Sequence, residues 1–255
     1  MTVTTTQDVA NCLVDCFAGF LGGNEGCWVR REGGLLAIVS GIPLAMCNGI
    51  WAQDEFPSAE IFRELLDHVI SSGLAFSVQL RPGADPEILA LVAARGLVQG
   101  KPIPLMVLND PSALVSAQDQ SELVLRALDH DEIDTHITLV ADTFGIPHDI
   151  ASQFMTEEFC QRPEVTCYVG ELDSVVATTG LGMVTGNSVG IFNIATPPEY
   201  RGRGYGAAVT ARAAADGFAQ GADVAWLQAS PMGFPVYERL GFVTPEYWDS
   251  WSSAS

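Results

Sequence analysis

Residues 193–208, NIATPPEYRGRGYGAA, constrain the fold more than any other stretch of this chain. An apolar strand ends at Pro197 and Pro198, and a glycine-rich turn then opens a helix. Glycine lets backbone come close to a ligand, and the free N–H groups and positive dipole end of a helix start favour an anion. The ligand implied is one that carries phosphates.

Two cofactor classes use such a turn. Gly202, Gly204 and Ala207 satisfy the dinucleotide pattern G-x-G-x-x-A. Too little chain follows to complete a doubly wound sheet, and the next strand, 224–230, ends in Gln228, Ala229 and Ser230 where a ribose-binding acid belongs. Arg201, Gly204 and Gly206 instead spell R-x-x-G-x-G, which resembles the pyrophosphate loop of the GNAT-type N-acetyltransferase superfamily, whose members bind acetyl-coenzyme A. Downstream of the strand, Tyr237, Gly241 and Phe242 resemble the Y-x-x-x-G-F segment of the same superfamily, in the same order and spacing. The likeness covers roughly residues 121–251.

The resemblance implies an α+β fold with a central mixed sheet. The pattern of the residues agrees: a strand over 122–128, helices over 129–144 and 147–160, and strands over 165–171, 174–185 and 188–196 with hairpin turns at Asp173 and Gly186-Asn187. A helix over 204–219, the strand 224–230 and a short helix within 231–242 follow.

The same resemblance implies roles for particular residues. Backbone groups of Ile194, Ala195 and Thr196 pair with pantetheine, and the Ile194 N–H polarises the thioester carbonyl, since Pro197 cannot donate. Amides of Arg201, Gly202, Arg203, Gly204, Tyr205, Gly206 and Ala207 cradle the pyrophosphate, with Arg201 or Arg203 adding a charge-assisted contact. Tyr237 is the general acid for the departing thiolate, against the alternative of simple packing. Ser230 bonds the pantetheine or the acceptor, or forms the turn before Pro231. Where some superfamily members carry a strand glutamate this chain has Asn193, so the base stays open between a water relay, Glu157, Glu158, His148 and direct attack by a free amine. His130 and His136 have no identifiable partner.

The first half repeats the order of elements. A helix over 59–72, a strand over 75–80, a helix over 86–95 and a strand over 103–108 echo the segment from Gly204 onward, with Arg95-Gly96-Leu97 standing where Leu240-Gly241-Phe242 stands. No R-x-x-G-x-G precedes the first helix, Asp54 and Glu55 would repel a pyrophosphate, and no tyrosine matches Tyr237. Two tandem acyl-CoA N-acyltransferase-like lobes are expected: 1–112, degenerate and supporting, and 121–255 with the cofactor loop, joined by a linker from Asn109 to Ser121. An unrelated α/β domain is the alternative for the first.

With 31 acidic against 12 basic residues and a net charge of −19, nucleic acid and anionic membranes are disfavoured partners, and a neutral or cationic small acceptor fits better. The six cysteines lack paired C-x-x-C clusters or histidines at ligand spacing, so no metal is expected; Cys12 and Cys16 share a helix face as buried free thiols. No apolar stretch is long enough to cross a bilayer and the first residues carry no export pattern, which makes the cytoplasm the expected location.

The function expected is acetyl-CoA-dependent transfer to the primary amine of a small molecule, less readily of a peptide. The alternatives are a non-catalytic acyl-CoA-binding or regulatory module and a nicotinamide dehydrogenase. Acceptor choice is expected to depend on the loops around 144–159, Phe234, the Trp248 and Trp251 tail and the first lobe; a homodimer is left open.

Overall fold

The computed structural model describes residues 5–23, 26–114 and 122–253. The chain forms two compact units, one reaching to Leu105 and resuming at Pro245, the other spanning Met106–Thr244.

The first unit begins with α1 (Thr6–Leu21), started by a reciprocal capping box between Thr5 and Asp8. Strands β1 (Trp28–Glu32), β2 (Leu35–Val39) and β3 (Asn48–Ala52) form an antiparallel meander. Then come α2 (Ala59–Ser71), capped by the Ser58 side chain, β4 (Ser77–Leu80) parallel to β3, α3 (Pro86–Ala94), capped by Asp85, and the short β5 (Val98–Gln99). The apolar face of α2, through Phe62, Leu65, Leu66 and Val69, buries against Leu35, Ile50 and Val78.

The second unit takes in the end of β6 (Ile103–Leu108), followed by β7 (Val124–Ala127), α4 (Ile133–Phe144), α5 (His148–Phe154) and α6 (Glu157–Cys160). Next are β8 (Val165–Leu172), β9 (Val175–Thr185), β10 (Ser188–Ala195), α7 (Tyr205–Ala219), β11 (Val224–Gln228) and α8 (Phe234–Arg239). Its sheet runs β6, β11, β10, β9, β8, β7, with β10 and β11 parallel and the pairs from β10 to β7 antiparallel. Helix α7 lies so close on one face that a Cβ at Gly217 would stand 2.4 Å from Val189, and one at Gly180 2.6 Å from Val209.

The mixed α+β fold and the repeated order of elements agree with the sequence reading; the unit boundaries differ. The final strand, β12 (Val243–Ser252), was assigned to the second lobe, yet residues 249–252 pair with β4 and Trp251 joins the first unit's core. Conversely, Met106 and Leu108 from the last strand of the first repeat join the core under α7. Buried Arg81 grips Glu246 through two nitrogens, also donates to Gln7, and Glu246 accepts from the Trp248 indole. Trp248 is fully buried, and Trp251 belongs to the first unit's core. Most of the expected linker, 115–121, lies outside the described residues.

The single helix expected over 147–160 is two helices, because Met155 leaves helical geometry and Thr156 caps a new start by accepting from the Phe159 N–H. Wholly buried His136 on α4, which seemed partnerless, meets the Thr179 hydroxyl at 2.7 Å. That hydroxyl already donates to the Tyr168 carbonyl, so His136 Nδ1 is the donor. Burial pushes its pKa down to about 4. No described helix is long and apolar enough to cross a membrane.

Two outcomes follow. Trp251→Ala destabilises the protein by roughly 3–5 kcal/mol in chemical denaturation, the cost of emptying a core aromatic site. His136 has a folded pKa below its unfolded value of about 6.5, so its stabilisation is complete above that pH and is lost as pH falls toward 4, by up to about 3 kcal/mol. His136→Gln flattens that acid limb in denaturation curves recorded between pH 7 and pH 4.

Candidate functional site

The second unit's sheet comes apart at one place. Strands β10 and β11 pair only at Ser188↔Val224, Val189↔Ala225 and Gly190↔Trp226, although β10 runs on to Ala195 and β11 to Gln228. Two features force the separation. The Phe192 and Trp226 rings meet edge to face at 5.3 Å over Gly190, where a Cβ would lie 2.6 Å from Trp226 and 2.7 Å from Phe192. Next, Asn193 takes a left-handed conformation (φ 54°), and the β9–β10 register shifts between Phe192 and Ala195. This is a β-bulge, and asparagine is among the few non-glycine residues that tolerate its backbone. The Asn193 amide also donates to the Met155 sulfur at 3.2 Å.

Beyond the bulge the strand end is held from behind. Buried Thr178 donates to the Ala195 carbonyl at 3.2 Å and shares a 2.9 Å hydrogen bond with the Thr196 hydroxyl. Past the bulge β10 resumes its pairing with β9 at Ala195, opposite Thr179, while its edge toward β11 has no partner strand beyond Gly190. The Ile194 side chain packs into the core under α7.

The glycine turn abuts this strand end. Gly202 (φ 75°) and Gly204 (φ 82°) are both left-handed, and α7 starts at Tyr205 with no side-chain cap. The first N–H groups of a helix have no partner within it, so those of Tyr205, Gly206 and Ala207 stay available. At Gly206 a Cβ would touch both Ile194 and Thr196 at 3.3 Å, which sets the helix start directly against the end of β10. Arg201 donates through Nε to the Thr196 carbonyl at 3.0 Å, leaving the far side of its guanidinium free. Among the described residues neither Arg201 nor exposed Arg203 makes an ion pair, although seven other arginines do. In the first unit the equivalent helix, α2, has its start capped by Ser58, and β3 stays paired with β4 from Gly49 to Trp51. Between these two equivalent helix starts, the glycine turn with its two arginines is found only at α7.

Tyr237 on α8 lies across Gly233, its hydroxyl 3.1 Å from where a Cβ would stand, and its ring meets Phe242 edge-on at 6.3 Å. It packs against the same core cluster as Ile194. Among the described residues its hydroxyl has no hydrogen-bond partner, and burial pushes its pKa up to about 12. The Ser230 hydroxyl accepts from the Gly233 N–H at 3.1 Å, which fits the turn-forming role. Of the open base candidates, Glu157 and Glu158 are exposed on α6, and His148 pairs with Asp134 at the surface. Sequence reasoning missed the bulge itself: Asn193 was weighed as a failed base, when asparagine before a strand end is also a signal of left-handed backbone.

Residues 133–242 match the family model described as the Acetyltransferase (GNAT) family. Three solved structures share the fold along nearly the whole chain. The GCN5-related N-acetyltransferase from Kribbella flavida is 16% identical with a TM-score of 0.75, covering 100% of this chain and 97% of that one. The GCN5-related N-acetyltransferase from Sphaerobacter thermophilus is 14% identical with a TM-score of 0.62, covering 96% and 91%. A tandem GNAT protein from the clavulanic acid biosynthesis pathway is 14% identical with a TM-score of 0.61, covering 98% and 96%. No curated protein matches in sequence. The fork, the glycine turn and the aromatic helix thus lie in the segment, residues 133–242, that matches the GNAT acetyltransferase family model, within a chain that has the tandem GNAT fold.

Proposed function

We propose that this protein is an acetyl-CoA-dependent N-acetyltransferase that acetylates the primary amine of a small molecule by direct attack. The observation that carries the reading is the stretch of β10 beyond Gly190 left unpaired with β11, beside a helix start that has no side-chain cap, two left-handed glycines and two arginines without an ion pair. Acetyl-CoA supplies an activated acyl carbon and a thiolate leaving group. The amides from Arg201 to Ala207 bind its pyrophosphate, with the Arg201 and Arg203 guanidiniums adding charge. The strand edge at Ile194, Ala195 and Thr196 orients the pantetheine arm, and the Ile194 N–H stabilises the negative charge that grows on the carbonyl oxygen. The strongly acidic chain favours a neutral or cationic acceptor over an anionic one.

Tyr237 acts on the sulfur, in a manner that its environment restricts. A phenol held near 12 is a much weaker acid than a thiol near 8.5, so complete proton transfer to the departing thiolate is uphill. Its contribution is a hydrogen bond donated to the sulfur as charge develops, and the proton that balances the reaction comes from the attacking nitrogen. The Asn193 side chain at the bulge cannot accept the proton, so the amine attacks in its unprotonated form. Asn193 serves there as the hinge of the bulge.

Thiol release from acetyl-CoA over a panel of amines tests the reading. Turnover with small amines supports it; tight coenzyme A binding with no turnover on any amine favours the non-catalytic acyl-CoA module, and NAD binding in a thermal-shift screen favours the dehydrogenase. Tyr237→Phe lowers kcat by roughly 10²-fold with little change in KM for acetyl-CoA, the size of loss expected for one donor to a developing charge. Gly204→Val, which forces a β-branched residue into left-handed backbone at a cost of about 1–3 kcal/mol, weakens coenzyme A binding about tenfold or more by calorimetry. The kcat profile rises with pH as the acceptor deprotonates and shows no loss from Tyr237 ionisation below about pH 10, because the phenol keeps its proton there.

A further inference from the structure

The acetyl-transfer chemistry uses none of the cysteines, and two of them meet. Cys160 ends α6 and Cys167 lies in β8; both are buried free thiols, and Cys167 donates a hydrogen bond to Cys160. Their meeting follows from strand alternation. Tyr168 points into the core under α7, so neighbouring Cys167 points to the opposite face, where α6 packs. Both thiols line one cavity of about 260 Å³, whose wall also includes His130 and Arg162. Exposed His130 and Pro163 carry that wall to the surface, which gives a small molecule access to two otherwise buried sulfurs.

We propose that Cys160 and Cys167 form an intramolecular disulfide when the protein meets a small peroxide, making this cavity a site of reversible oxidation. The hydrogen bond from Cys167 favours the thiolate at Cys160 and keeps the proton on Cys167, against the burial that raises both, so Cys160 attacks first. Its sulfur takes one peroxide oxygen as the O–O bond breaks, giving a sulfenic acid and, with a proton, water. The Cys167 sulfur then attacks that sulfur, the S–O bond breaks, and a second water leaves with the Cys167 proton. Two thiols and one hydrogen peroxide thus become one disulfide and two waters. The bond ties the end of α6 to β8, and a dithiol reductant reverses it.

Peptide mapping of the full-length folded protein after hydrogen peroxide treatment tests this. Cleavage by a glutamate-specific protease after Glu158, Glu164 and Glu171 places the two cysteines on separate peptides, 159–164 and 165–171. The expected result is a linked pair weighing two hydrogens less than the sum of its parts, lost after dithiothreitol, with a matching loss of alkylatable thiol at both positions. Cys160→Ser abolishes the link, and Cys167→Ser serves the same purpose if that variant does not fold. Recovery of both peptides in alkylated form, terminal oxidation of Cys160 without a link, or pairing of either residue with another cysteine would overturn the proposal.

Discussion

The second unit depends on one interruption in its hydrogen-bond ladder. A parallel pair such as β10 and β11 gains a bond at each step, and leaving strand edges unpaired is costly unless something replaces those partners. Here the ladder stops after three rungs because the Phe192 and Trp226 rings fill the space over Gly190 and Asn193 turns left-handed. The stabilising side is local: Asn193 tolerates the backbone, its amide finds Met155, and Thr178 satisfies the Ala195 carbonyl behind the opening. What is left is a strip of β10 unpaired with β11 and, beside it, a helix start with no side-chain cap. Those are the groups a ligand with an amide-rich arm and a diphosphate would engage.

The contrast between the two repeats gives this weight. Both have a strand, a helix, a parallel strand and a second helix in the same order, so the fold alone does not create a site. In the first unit β3 ends at Ala52, one residue past its last rung with β4, whereas β10 runs five residues past its last rung with β11; Ser58 caps α2, and Asp54 and Glu55 precede it. In the second the glycines remove the cap and the arginines go unpaired. The difference between support and site comes down to a handful of residues between a strand and a helix.

What the sequence revealed followed a physical pattern. Gly202, Gly204 and Gly206 were legible because spacing of this kind answers a backbone requirement, and Tyr237 because its short helix is bounded by Pro231 and Gly241. The break between α5 and α6 was harder to see, since Met155 and Thr156 are acceptable in a helix interior and only the cap formed by Thr156 reveals the new start. The destination of β12 was hidden for another reason. The residues of 243–252 do not say which sheet receives them; that is settled by Trp251 in the first core and by Arg81 holding Glu246, contacts that join positions 165 residues apart. His136 likewise gave no sign of Thr179, because a single buried histidine has no sequence period.

The central claim, that the β10 edge and the α7 start together bind an acyl-CoA, is tested most directly by following backbone amide resonances of the isotopically labelled protein as coenzyme A is added. The account predicts that the amides of Ile194 and of Tyr205, Gly206 and Ala207 shift together on a single binding curve, while those of Gly49 to Trp51 in the first unit stay in place. Saturable binding that leaves Ile194 and the first turn of α7 unmoved, or that moves the β3 amides instead, would contradict it.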